Sequence, residues 1–254
     1  MYRFLPVLLV LAALPVHADT STHRQASRLT EPSLHLDRHE GRAPRVALTL
    51  DACSGKVDRR ILDVLLSERI PATIFVTARW LKRNADTVAL FKANPDLFEI
   101  EDHGREHIAA VDRATTIYGV RSAGSPEAVA LEVGGGADAM RAAGFDQPHW
   151  FRGATAKYSP SAIALIEGMG YRIAGYSLNG DGGSLLGAKE TARRISNARD
   201  GDVIIAHVNQ PGHAAGSGVA EGVLALKKRG FEFVLLKDAA EPAHASAHSS
   251  SLDK

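Results

Sequence analysis

RVALTLDACSGKVDRRILDVLLSERIPATIFV, residues 45–76, decides the fold. Arg45 to Leu50 is a short apolar run of strand length rich in Val and Leu, and Ala72 to Val76 is another. Between them, Asp58 to Glu68 carries Ile61, Leu62, Leu65 and Leu66 on one face of a helix. Strand, helix, strand within about thirty residues is the unit of a parallel sheet.

The same alternation continues along the chain. Strand-like runs follow at Leu97 to Ile100, Trp150 to Arg152, Tyr171 to Tyr176, Asp202 to Ala206 and Phe231 to Leu236. Helix-like stretches lie between them at Arg79 to Ala93, Pro126 to Ala143, Ser159 to Met169, Ala188 to Ala198 and Gly218 to Arg229. The pattern predicts an α/β fold, an incomplete (β/α) barrel of about seven parallel strands occupying residues 45–241. Neither an internal repeat nor a linker divides that stretch.

Parallel barrels gather their chemistry at the C-terminal ends of the strands. The residues there are Asp51, Thr77, Asp102 and His103, Arg152, the stretch Ser177 to Asp181, and His207. His103 and His107 stand four apart, a spacing at which two imidazoles can meet one divalent metal. The spacing alone is a weak signal, since His35/His39 and His244/His248 repeat it. Those two pairs fall in polar flanks without a rigid frame to orient the rings, whereas His103/His107 follows a core strand.

The flanks suggest export. Met1-Tyr2-Arg3, an apolar run from Phe4 to Val16 and the small-residue site ending at Ala18 read as a secretory signal peptide over residues 1–18. Residues 19–44 read as a flexible leader and 242–254 as a disordered tail. The apolar run is too short for a comfortable membrane span, so no stable span is expected once the signal is cleaved. The single cysteine, Cys53, excludes an intrachain disulfide framework. A net charge of +1 gives no reason to expect nucleic acid as a partner. The oligomeric state is not legible.

Five short runs occur in one order: Thr49-Leu50-Asp51, His103-Gly104-Arg105-Glu106-His107, Phe151-Arg152, Asn179-Gly180-Asp181 and Ile205-Ala206-His207. In that order they resemble the polysaccharide deacetylase family, the NodB-homology or carbohydrate esterase 4 group, from about Arg45 to Leu236. The resemblance implies a distorted (β/α) barrel that removes acetyl groups from an N-acetylated polysaccharide with a divalent metal, zinc being expected. It also implies roles. Asp51 matches the catalytic base, His103 and His107 the metal histidines, and His207 the catalytic acid. Arg152 would hold Asp51, Asp181 would hold His207, and Ile205 would line the pocket for the acetyl methyl. Taken singly, each has a plainer reading as a turn, cap, packing or ion-pair residue. It is their joint occurrence at strand ends that carries the argument.

The chain departs from the family at the first motif, where a second aspartate usually follows as a metal ligand. Here Ala52 follows Asp51, and alanine cannot coordinate. Asp51 itself, a Cys53 thiolate, water, Asp58 or Asp102 could complete the site. Cys53 is expected to be a packing residue, as buried free cysteines usually are. Arg152 is followed by Gly153-Ala154-Thr155 in place of the usual Pro-Pro-Tyr, leaving the Thr155 amide as a candidate oxyanion donor. Asn179 stands where an aspartate is usual. Two other readings remain: a binding module that keeps the groove without catalysis, and an esterase acting on O-acetyl sugars.

Overall fold

The structure, a computed structural model, describes residues 28–38 and 41–238. The signal segment, the tail, His39 and the pair His244/His248 lie outside the described residues. Strand β1 (Arg45–Ala52) is followed by α1 (Arg59–Ser67), β2 (Ala72–Val76), α2 (Ala78–Arg83), α3 (Ala85–Lys92) and β3 (Phe98–Asp102). A hairpin of β4 (Thr116–Ile117) and β5 (Val120–Arg121) comes next, then α4 (Pro126–Ala142), β6 (Trp150–Phe151), α5 (Pro160–Gly168), β7 (Arg172–Ile173) and β8 (Leu178–Asn179). The chain closes with α6 (Ala188–Ser196), β9 (Val203–His207), α7 (Ala215–Lys228) and β10 (Glu232–Phe233).

The main sheet runs β7-β6-β3-β2-β1-β9-β8 with every pairing parallel, and β10 adds to the start of β1. It curls into a barrel left open between β7 and β8, the distorted and incomplete form expected. Strand alternation sorts its side chains. Val46, Leu48, Leu50 and Ala52 of β1 face the helices and join the largest apolar cluster with Ile74, Val76, Ile204 and Ala206. Ala47, Phe75, Trp150 and Val203 make a second cluster on the inner side, together with Leu34, Leu36 and Leu236.

Leu34 and Leu36 correct the reading of residues 19–44 as a flexible leader over its described part. Both are buried. Thr30 and Tyr158 exchange backbone hydrogen bonds of 2.8 and 2.9 Å, and Leu36 N–H donates to Gly201 O at 2.8 Å. The segment passes beside Gly175, between β7 and β8, where a Cβ would collide with Pro32 O. Alternating leucines thus cover the side on which the barrel fails to close, a tertiary gain that a polar composition conceals.

The expected helix over Arg79–Ala93 is two, broken at Asn84 (φ −128°, ψ 44°). The Asn84 amide donates to Trp80 O at 2.9 Å and to Gly55 O at 3.0 Å, tying the break to the loop after β1. Neither β8 nor the β4–β5 hairpin was anticipated, each strand being two residues long and outside any longer apolar run. No helix among the described residues is long and apolar enough to cross a membrane.

Candidate metal centre and active site

Pairing register brings the strand ends together. Asp51 is opposite His207 on one side and Phe75 on the other, while Val76 is opposite Asp102 and Asp102 opposite Phe151. The next residues along, Cys53, His103 and Arg152, therefore converge on one rim with Asp51 and His207. Ligand atoms of Cys53, His103 and His107 all lie within 4.8 Å of one another. Cys53 Sγ is 3.4 Å from His103 Nε2, and the two imidazole rings meet edge to face at 5.0 Å.

This outcome overturns the expectation that Cys53 is a packing residue. It is buried as expected, but among histidines. The reason is the period of a strand: Asp51 points inward, Ala52 points outward into the helical layer, and Cys53 returns to the side of Asp51. The other candidate third ligands are committed elsewhere. Asp58 caps α1, accepting Arg60 N–H at 3.0 Å, and pairs with the Arg60 guanidinium. Asp102 accepts Gly104 N–H at 2.8 Å and faces α4, and burial pushes its carboxyl well up.

Each group has a fixed partner. His103 Nδ1–H donates to Arg152 O at 2.5 Å, which fixes the ring with Nε2 turned toward Cys53. Arg152 is fully buried; it donates to Asp51 Oδ1 at 3.0 Å and to the Ala174 and Gly175 carbonyls at 3.1 Å, with its guanidinium 4.2 Å above the Phe75 ring. Asp51 Oδ2 is 3.8 Å from His103 Nε2. Asp181 accepts from His207 twice, from the backbone N–H at 2.7 Å and from Nδ1 at 3.1 Å. Asn179, in place of an aspartate, accepts Gly182 N–H at 2.8 Å and shapes the Asp181 turn. Ile205 is buried at the inner wall one turn of pleat before His207.

The charge states follow. Burial alone would raise the Asp51 carboxyl, but His103, Arg152 and His207 together hold it below its ordinary value. Burial likewise opposes ionisation of Cys53, and the surrounding His103, His107 and His207 outweigh it, so the thiol sits well below its usual range. His103 is pushed up to about 9 against its burial by Asp51 and Cys53, and His207 is raised by Asp181 and Cys53. A thiolate amid imidazoles, with a carboxylate beside it, is a donor set that suits a borderline divalent cation such as zinc. Metal binding would displace the proton that His103 otherwise holds at Nε2.

His107 owes its place to a residue that sequence reading missed. Glu132 of α4 is 3% exposed. Its carboxylate accepts Glu106 N–H at 3.0 Å and Ile108 N–H at 3.2 Å, and its carbonyl accepts Arg105 N–H at 3.0 Å. This nest of amides surrounds His107, which adopts φ +59°, a left-handed conformation uncommon for residues other than glycine. A signal existed: Glu132 is an acid on the same helical face as Val129, Val133 and Gly136. Near Arg152, Tyr158 is buried and its hydroxyl accepts Gly153 N–H at 2.8 Å, shaping the loop in which Thr155 adopts φ +72°. Thr155 Oγ1 is buried without a partner among the described residues.

The chain belongs to the polysaccharide deacetylase family, whose model matches residues 38–174, more than half of it. Asp181 and His207 lie beyond that stretch. Among solved structures, a deacetylase with substrate is similar at 22% identity over 77% of this chain and 89% of its own, TM-score 0.61. A family 4 acetyl xylan esterase from Clostridium thermocellum, in complex with a cobalt ion, is similar at 24% over 76% and 88%, TM-score 0.60. A CE4 family pseudoenzyme from Bacillus anthracis is similar at 16% over 79% and 66%, TM-score 0.62. These likenesses establish a shared fold. A comparison with curated proteins found no match.

Proposed function

We propose that the protein is an exported, metal-dependent hydrolase that removes N-acetyl groups from an N-acetylhexosamine polysaccharide such as peptidoglycan, an exopolysaccharide or a chitin-like polymer. The observation that carries this reading is the Cys53, His103 and His107 cluster flanked by a buried carboxylate, Asp51, and an Asp181-bound imidazole, His207. A divalent ion held by the cluster would polarise the acetyl carbonyl and make water acidic enough to lose a proton near neutrality.

Asp51, kept ionised by Arg152, takes a proton from the water whose oxygen attacks the acetyl carbon. His207, kept protonated by Asp181, gives a proton to the sugar nitrogen as the carbon–nitrogen bond breaks. The acid formed gives its remaining proton to the amine, so acetate and an ammonium group leave, and the proton on Asp51 replaces the one lost by His207. A binding module would need neither a held base nor a held acid, and Ala52 alone does not argue for one because Cys53 stands in reach.

The test is acetate release from chitohexaose by dialysed protein reloaded with zinc or cobalt, beside Asp51→Asn and acetylated xylan as an O-acetyl substrate. Metal-dependent release from chitohexaose, lost in Asp51→Asn, is expected. Release from xylan alone would replace the reading with an esterase, and no release from either would leave a binding module.

A further inference from the structure

Tyr118 is 78% exposed, among the most exposed of the large apolar side chains. It is the first of two loop residues, Tyr118 and Gly119, joining β4 to β5, where Ile117 pairs with Val120. Both have positive φ, +50° and +80°, the pattern of a type I′ turn. That turn favours Asn, Asp or Gly at its first position, and a bulky ring there is strained. Turn chemistry therefore does not account for the tyrosine.

The hairpin is stiff and tied to the metal centre. Ile117 packs on Ala109 and Val111. Ser122 Oγ donates to Arg113 O at 2.7 Å and accepts Thr115 N–H at 2.8 Å. Ala109, two residues past His107, donates to Arg121 O at 3.0 Å and accepts Ala123 N–H at 2.9 Å. Lys157, five residues past Arg152, sets its ammonium 5.1 Å from the Tyr118 ring centroid and 3.5 Å from Glu31 Oε2. The ring is thus carried by a hairpin that is tied to the segments following His107 and Arg152.

We infer that Tyr118 is a stacking platform for a pyranose ring of the substrate chain, beside the residue whose acetyl group is attacked. A flat, largely exposed aromatic face matches the apolar C–H face of a hexosamine, and the Lys157 ammonium offers donors to the sugar's oxygens. The inference rests on the reading of the substrate as a glycan. It assigns the strained position a function: ring placement is retained at the expense of turn stability.

Calorimetric titration of the full chain with chitohexaose tests it, on the parent, Tyr118→Asn and Tyr118→Phe. Asn before Gly119 is the favoured turn pair, so Tyr118→Asn should melt no lower than the parent while its chitohexaose Kd and KM rise about tenfold. Tyr118→Phe should bind within about twofold of the parent. Parent-like affinity in Tyr118→Asn, equal losses in both variants, or no binding by the parent would overturn the platform. Acetate release with an unchanged KM in all three sinks the platform and leaves the deacetylase. Weakened binding in Tyr118→Asn, with no acetate released by the parent, does the reverse.

Discussion

Cys53 Sγ and His103 Nε2 face each other across 3.4 Å at the ends of β1 and β3, which puts a sulfur donor within reach of the same ion as the His103 imidazole. A thiolate is softer than a carboxylate and binds zinc or cobalt in preference to hard cations. Cys53→Ala should therefore lose most of the metal that the parent retains through dialysis. Cys53→Asp should retain metal, but its cobalt form should lack the sulfur-to-metal charge-transfer absorption of the cobalt-loaded parent. Identical spectra in the two would remove Cys53 from the metal.

Glu132 acts one step back from the Cys53, His103 and His107 cluster, through the amides of Glu106 and Ile108. Outer partners of metal ligands typically change affinity by about 10–100-fold when removed. Glu132→Ala should fall in that range in a chelator competition for zinc, and Glu132→Gln, which keeps one acceptor oxygen, should fall between. An unchanged zinc affinity in Glu132→Ala would make the residue a packing element only.

Much of this was legible in the sequence, and the limits have physical causes. The long strands and helices announce themselves by period, so β1, β2, β3 and β9 and the carboxylate and imidazoles at their ends were anticipated. The two-residue strands β6, β7 and β10 lie within longer apolar runs and were found with them, whereas β8 and the hairpin under Tyr118 lie in stretches broken by Gly180 and Gly119 and were not. Leu34 and Leu36 gain their burial only because the barrel is open beside Gly175, a tertiary fact that local composition cannot express. Cys53 is the instructive miss, because alternation alone placed position 53 on the side of Asp51 and position 52 on the other.

Arg152 and Asp51 are a buried pair, and removing one partner of such a pair costs about 3–5 kcal/mol by stranding the other charge. Arg152→Met should lose about that much in urea unfolding. Asp51→Asn in the same chain should recover part of the loss, since a neutral amide no longer needs the guanidinium. Strict additivity of the two changes would contradict the coupling.

Glu101 lies inside the barrel on β3, accepting the N–H groups of His149 and Trp150 at 2.9 and 2.8 Å. Burial, assisted by the nearby Glu99, pushes its carboxyl from 4.5 up to about 9. The folded state then holds a proton that the unfolded chain releases above about pH 4.5, so stability from this group is complete below that pH and declines as pH rises toward 9. Urea unfolding should show that decline in the parent and a flatter profile in Glu101→Gln. Parallel profiles would place the titration elsewhere.

Three consecutive glycines, Gly134, Gly135 and Gly136, interrupt α4, although glycine weakens a helix interior by about 0.5–1 kcal/mol relative to alanine. The surroundings differ at each. A Cβ at Gly136 would collide with Asp102 Oδ1 beneath the His103 loop, and one at Gly135 would stand 2.6 Å from Arg105 Cδ, whereas nothing lies within 4 Å at Gly134. Gly136 is thus a spacer that lets β3 and the metal-site loop approach the helix, while Gly134 is not. Gly134→Ala should raise the melting temperature by about 1–4 °C and leave zinc affinity untouched. Gly136→Ala should lower both, despite its gain in helix propensity. A stabilised Gly136→Ala with parent-like zinc affinity would mean that the Asp102 to Gly136 contact does not set the height of the loop carrying His103 and His107.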